Sequence, residues 1–248
     1  MSESTTLTRI YCEADLSQDL PVDLGPGPAH KLRAVLRAQT GDEVRLFNGR
    51  DGEWRARLES LGKNKASALC LSQTREQKSE PGPWLAFAPI KKDRLDMIVE
   101  KAVELGVERL IPVITRRTES RRVKMERLNQ QIIDAAEQCE RLSVPEISEP
   151  INLDKLASVW PKDRALLVGA ERRDAPALPQ ALASIDGPLG LLVGPEGGFE
   201  SQELDAALNL PISIAVSLGP RILRAETAAI AALGVVQALS GDWKTKTI

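Results

Sequence analysis

Three short stretches, Ala165–Val168, Leu189–Val193 and Ile212–Val216, are apolar at nearly every position and are bounded by glycine, proline or charge. A strand with one wet face alternates polar and apolar residues. Strands without that alternation are buried on both faces, as in a parallel sheet covered by helices. Trp84–Ala88 and Arg109–Val113 read as two more such strands, and the segments between strands have helical periodicity. Leu95, Ile98, Ala102 and Leu105 share one helical face that stops at Gly106, and Met125, Leu128, Ile132, Ile133, Ala136 and Cys139 share another. The pattern predicts an α/β domain over residues 84–248.

The chain before it reads differently. From Ser72 to Pro83 there is no large apolar residue and the stretch ends Pro-Gly-Pro, which places a linker at 73–83 and a separate domain at 1–72. Within that domain Val44 and Leu46 alternate with polar residues, the turn formers Asn48-Gly49 and Asp51-Gly52 follow, and Trp54, Ala56 and Leu58 alternate again. This is a hairpin signal in a small, mostly β domain. One helix is expected at His30–Arg37, with Leu32, Val35 and Leu36 on an inner face and His30, Arg33 and Arg37 as a cationic ridge that is either a solvated face or a binding surface.

Several chemistries are excluded early. His30 is the single histidine of 248 residues, so multi-histidine zinc hydrolysis and Ser-His-Asp catalysis are poor fits. Cys12, Cys70 and Cys139 are far apart and form no CxxC pair, which argues against a metal site and for a reducing, cytoplasmic setting. No apolar run approaches about 18 residues and no basic-then-apolar leader is present, so neither a membrane span nor export is expected. The near-neutral total charge hides an asymmetry: 23 basic against 19 acidic side chains in residues 1–127, and 10 against 16 in 128–248. Such a split suits one anionic partner and one that is not anionic, although a bare count is also compatible with chance.

Two strand-to-helix junctions carry the chemistry. Val193 runs into Gly194-Pro195-Glu196-Gly197-Gly198-Phe199, with Ser201 as the expected N-cap of the next helix. Glycine lets the backbone approach a ligand at the C-terminal end of a parallel strand, but the same residues also build ordinary turns. Glu196, Glu200, Glu203 and Asp205 crowd this junction, which disfavours a pyrophosphate and a phosphate-dependent nucleotide enzyme and favours a ligand with a cationic or hydroxylated face. The second junction is Ser217-Leu218-Gly219-Pro220-Arg221-Ile222-Leu223-Arg224-Ala225-Glu226-Thr227, opening an Ala-rich helix that ends near Leu239. Arg221 and Arg224 stand where the helix dipole disfavours cations, so they either pair with Glu226 or Glu196 or serve a ligand. Ala228, Ala229, Ala231, Ala232 and Gly234 keep that helix thin enough for close packing.

Together, Leu192 to Phe199 and Leu218 to Ala228 resemble the paired signature of the ribosomal RNA small subunit methyltransferase E family, which belongs to the SPOUT class. His30 to Arg37, Lys101 to Val107, and Ala135 to Cys139 continuing through Arg141 to Ile147 are similar to the same family, in the same order along nearly the whole chain. The opening Arg9-Ile10-Tyr11-Cys12 departs from the family's more aromatic run. The resemblance implies an N-terminal PUA-like β-barrel domain and a C-terminal SPOUT α/β domain with a deep trefoil knot. It also implies a homodimer that uses S-adenosylmethionine to methylate N3 of a uridine in 16S ribosomal RNA of the small subunit.

Carried over to this chain, the resemblance assigns the cofactor to Val193, Gly194, Glu196, Gly197 and Gly198 of one loop and to Leu218, Gly219, Ile222, Leu223 and Thr227 of the other. Attack by the uracil N3 needs its anion or loss of its proton, and with His30 in the other domain an arginine is the expected device: Arg221 or Arg224, with Glu226 as orienter or base. No metal is required. The RNA is expected to meet His30, Arg33 and Arg37, then Lys91, Lys92, Arg116, Arg121 and Arg122, with Arg117, Lys124 and Arg127 in the same cluster. Aromatic residues make up 3% of the chain, too few for a stacking platform, so one base is expected to be extruded from RNA held by its backbone. The alternative function is a non-catalytic RNA-binding or ribosome-assembly factor on the same fold.

Overall fold

A computed structural model describes residues 8–170 and 174–244, and the first of two units in it comprises residues 8–80 with 136–144. Its strands are β1 (Arg9–Tyr11), β2 (Pro21–Asp23), β3 (Glu43–Phe47), β4 (Glu53–Leu61) and β5 (Ala66–Arg75), in the order β1-β3-β4-β5-β2. Only the β1–β3 pair is parallel. The expected hairpin joins β3 to β4, and Asn48 closes its turn by accepting the N–H groups of Arg50 and Asp51 through its side-chain oxygen. Gly52 follows at φ +79°, where a Cβ would lie 2.3 Å from the Arg75 carbonyl oxygen, so no other residue fits. Ala56 and Leu58 are buried and Trp54 is half-buried, as the alternation requires.

The expected helix at His30–Arg37 forms differently. An α-helix, α1, spans Pro26–His30 and continues as a π-helical turn over Lys31–Val35, in which the Leu36 N–H reaches back to the Lys31 carbonyl. The wider turn breaks the stripe assumed from 3.6-residue spacing. Leu32 is fully buried, whereas Val35 and Leu36 are 66% and 40% exposed. Arg37 takes φ +56° and ends the turn.

Arg9 organises the remainder of this unit. It is 6% exposed and its Nε donates to Glu53, itself 1% exposed, at 2.6 Å. Its other nitrogens donate to the carbonyls of Ala136 at 2.8 Å, Glu137 at 3.2 Å and Arg141 at 3.0 Å. Residues 136–138 end a helix, α3 (Met125–Gln138), whose last carbonyls have no partner within the helix, so Arg9 is a buried C-terminal cap supplied by a strand. Glu137 in turn accepts the Tyr11 N–H at 2.8 Å and pairs with Lys31.

The second unit spans residues 81–135 and 145–244. Its strands are β6 (Trp84–Phe87), β7 (Arg109–Ile114), β8 (Glu146–Ile147), β9 (Ile151–Asn152), β10 (Ala165–Gly169), β11 (Leu189–Val193) and β12 (Ser213–Val216). They form a sheet in the order β12-β10-β11-β6-β7-β8, with β9 also on β7, and every pair is parallel. All C-terminal strand ends therefore open on one edge. One face packs on α4 (Leu156–Val159) and α6 (Ser201–Leu208) through Leu156, Trp160, Leu204 and Ala207. The helix α7 (Ala225–Leu239) packs on both α2 (Lys92–Glu104) and α5 (Leu178–Leu182) and also on β11. Among the described residues, no helix is long and apolar enough to cross a membrane.

Candidate active site

The carboxyl ends of β10, β11 and β12 lie side by side, and the loops leaving β11 and β12, with Gly169 and Ala170 at the end of β10, line a cavity of about 540 Å³. That is within the size range of small-molecule sites, and parallel α/β sheets place their ligands at this edge. Both loops singled out from sequence meet here. Val193, Gly194, Glu196, Gly197 and Gly198 line the cavity from one side, and Leu218, Gly219, Ile222 and Leu223 from the other. Leu191, Ala225, Ala228 and Ala232 complete an apolar floor, while Thr227 does not line the cavity.

Local hydrogen bonding shapes each loop. After β11 the Gly198 N–H closes a turn onto the Pro195 carbonyl at 2.9 Å. The helix that follows is capped at Glu200, one residue before the expected Ser201, and Glu203 accepts the Glu200 N–H at 3.3 Å. After β12, Ser217 exchanges backbone bonds with Pro176 and Leu178, and its hydroxyl accepts the Gly219 N–H at 3.2 Å. Gly219 has φ +105°, a conformation that only glycine adopts without strain, and a Cβ there would meet nothing within 4 Å. Gly234 also faces open space within the chain, so the small residue there is not imposed by a neighbouring backbone of this chain.

Charge is arranged differently from the sequence expectation. Of the four crowding acids only Glu196 lines the cavity. Glu200 lies 3.4 Å from Arg116, and Glu203 accepts the Arg116 backbone N–H at 2.8 Å, so repulsion of a phosphate by this cluster is weaker than a charge count suggests. Arg221 lines the cavity and Arg224 is the N-cap of α7; both are exposed, and neither forms an ion pair among the described residues. Glu226 is 7% exposed, does not line the cavity, and has one oxygen, Oε2, without a hydrogen-bond partner.

Two arginines that meet residues of this site were not singled out for it. Arg94 of α2 lies 3.8 Å from Glu196 and 3.6 Å from Glu226, the acids proposed as partners for Arg221 and Arg224. Arg117 lines the cavity and donates to the Gly197 carbonyl at 2.8 Å, which takes it out of the free basic cluster. The sequence does not single out Arg94, since Lys92 stands in the same first turn of α2.

The remaining expected RNA contacts are surface residues. Lys91 and Lys92 are exposed at the start of α2, and Arg121, Arg122 and Lys124 are exposed without an ion pair among the described residues. Arg116 and Arg127 are partnered, by Glu200 and Asp96. In the first unit, His30, Arg33 and Arg37 are exposed beside Val35 and Leu36.

Comparison with known proteins bears on this geometry. Residues 78–237 match the family described as RNA methyltransferase domain, and residues 32–69 match the RNA methyltransferase PUA domain. Ribosomal RNA small subunit methyltransferase E of Rickettsia conorii is 35% identical over 93% of this chain and 95% of its own length. The protein of that name from Bacillus subtilis is 29% identical over 86% of the chain and 90% of its own. Among solved structures, the ribosomal RNA small subunit methyltransferase E from Neisseria gonorrhoeae bound to S-adenosyl methionine superposes with a TM-score of 0.85. It is 33% identical, covering 96% of this chain and 99% of that one. A Legionella pneumophila methyltransferase in complex with the same cofactor also superposes at 0.85, with 31% identity over 94% and 98% of the two chains.

Proposed function

The chain belongs to the ribosomal RNA small subunit methyltransferase E family, and we propose that it transfers the methyl group of S-adenosylmethionine to N3 of a uridine in 16S ribosomal RNA. The observation that carries this reading is the meeting of both glycine loops around one cavity at the strand ends. The cavity suits the cofactor chemically. Its apolar floor fits an adenine ring, its loops offer backbone groups to polar edges, and Glu196 supplies negative charge for the cofactor's amino group or sulfonium.

When bound, S-adenosylmethionine supplies an electrophilic methyl group on a sulfonium centre. The chain's part is to hold the uracil and favour its N3 anion. Arg221, at the cavity lip and without a carboxylate partner among the described residues, is placed to offset negative charge on the uracil oxygens. Arg224 sits three residues on, as the N-cap of α7, exposed and outside the cavity lining, and adds a second cation beyond that lip. Glu226, buried and outside the lining, orients its surroundings rather than taking the proton.

The domain reading is a PUA-like β-barrel over 1–72, a linker over 73–83 and a SPOUT domain with a deep trefoil knot over 84–248. The five-stranded sheet of the first unit and the parallel sheet of the second support a division into two domains, while β5 runs to Arg75, inside the expected linker, and residues 136–144 belong with the first unit. We further take the protein to be a cytoplasmic homodimer whose RNA-facing residues are the exposed cations His30, Arg33, Arg37, Lys91, Lys92, Arg121 and Arg122. Incubation of the purified protein with small subunits and S-adenosylmethionine, followed by mass spectrometry of the 16S RNA, tests the assignment. N3-methyluridine at one position is the expected product. Cofactor binding without any methyl transfer would favour the non-catalytic assembly factor.

A further inference from the structure

We infer that Arg94 is a positioning residue of the cofactor cavity, one guanidinium that sets the spacing between its two walls; the inference rests on the methyltransferase reading above. Arg94 reaches a carboxylate on each wall. Glu196 belongs to the loop after β11 and lines the cavity, and Glu226 lies in the first turn of α7, between Ala225 and Ala228, which continue the lining from the second loop. Among the described residues, Arg94 is the ion-pair partner that each of these acids has.

Arg94 and Glu196 are each about a third exposed, and what makes the contact more than a surface pair is the burial of Glu226. Glu226 is more than nine-tenths buried and its Oε2 has no hydrogen-bond partner, so without Arg94 a desolvated carboxylate stands uncompensated under the cavity wall. Loss of the guanidinium leaves two like charges, one per wall, with nothing between them, and the walls separate. The planar fork matters as well as the charge, because a lysine ammonium is a compact donor that serves one carboxylate at a time.

The test uses the full-length protein and four forms: the parent, Arg94→Ala, Arg94→Lys, and Arg94→Ala combined with Glu226→Gln. Calorimetry with S-adenosylmethionine and thermal melting are measured for each, with the KM for cofactor and for RNA. Arg94→Ala is expected to weaken cofactor binding tenfold or more and to raise the cofactor KM while the RNA KM stays within twofold. Arg94→Lys recovers part of the affinity. The combined variant recovers more than Arg94→Ala alone, because the uncompensated charge is gone, and it serves as the probe if Arg94→Ala fails to fold. Cofactor affinity of Arg94→Ala within twofold of the parent overturns the inference, as does a combined variant that binds no better than the single one. A parent protein that does not bind S-adenosylmethionine at all overturns the functional reading itself, and the inference with it.

Discussion

Replacing Arg9 by methionine removes the most connected buried charge of the first unit while keeping an unbranched apolar chain in its place. The cost can be worked from the groups around it. Glu53, 1% exposed, loses its 2.6 Å partner, the Ala136 and Arg141 carbonyls lose donors at 2.8 and 3.0 Å, and the Phe47 ring loses a guanidinium 4.1 Å from its centroid. Breaking one side of a buried ion pair costs about 3–5 kcal/mol when the other charge is left unpaired, and Glu53, which keeps Arg45 at 3.5 Å and Arg75 at 3.8 Å, puts the cost at the lower end of that range. That is a large part of the roughly 5–15 kcal/mol that holds a domain folded.

Hydrogen exchange read by mass spectrometry over β3, β4 and β5 measures the cost within this unit. Protection should fall by about 10²- to 10⁴-fold at pH 7. The deficit is also pH-dependent. Burial alone would push the Glu53 carboxyl up, but hydrogen bonds from Arg9 and Thr74 and the charges of Arg9 and Arg45 outweigh it and hold it below its ordinary 4.5. A depressed carboxylate stabilises the fold above its unfolded pKa, and that contribution fades as pH falls through the folded value. Without Arg9 the burial effect is less opposed, so Glu53 takes up a proton more readily, and the deficit of the variant should shrink between pH 7 and pH 4. A deficit under about 1 kcal/mol at pH 7, far below the range for a broken buried pair, or one that does not change with pH, would refute the reasoning.

Other substitutions address the site. Gly219→Ala meets no neighbour but must adopt φ +105°, so it should cost about 1–3 kcal/mol of local strain and appear as a tenfold or greater loss of S-adenosylmethionine affinity by calorimetry with little change in melting temperature. An unchanged affinity would mean that the loop conformation is not used in binding. Replacing Arg121 and Arg122 together by alanine should weaken RNA binding and lower the slope of log affinity against log salt by roughly 1–2, about 0.7–0.9 for each phosphate no longer neutralised. Cofactor affinity should stay the same, and an intact salt slope would take these two residues out of the interface. Arg221→Ala should lower kcat by roughly 10²–10³, the scale of a lost charge-stabilising donor, in single-turnover assays. A change confined to KM would assign it to binding alone.

How much of the fold is legible in the sequence follows from the range of the interactions involved. The strands over 165–169, 189–193 and 213–216 are readable because burial on both faces leaves a local mark, an unbroken apolar run. Both cavity loops are readable because glycine, directly after one such run at Gly194 and three residues after the other at Gly219, lets the backbone turn tightly and approach a ligand there. Arg94 and Glu226 are 132 positions apart, and Arg117 meets Gly197 across 80, so no local pattern marks either pairing. The turn at Lys31–Val35 escapes a stripe laid out at α-helical spacing, because a π-helical turn places the same residues on other faces. Composition marks 73–83 as a break but carries no sign that residues 136–144 pack with the first sheet, since that depends on Arg9 finding carbonyls 127 to 132 residues away.

That return of the chain also bears on the order in which the protein can be built. The first unit is discontinuous: Glu53 satisfies the Nε of its buried Arg9, but the two terminal nitrogens find their acceptors in carbonyls that arrive with residues 136–141. A nascent chain that has exposed residue 80 still lacks these acceptors, and at roughly 5–20 residues per second they emerge about 3–12 s later. During that interval the N-terminal sheet carries a guanidinium with no helix end to cap, and it reaches its final stability only after much of the second unit's first half has been synthesised.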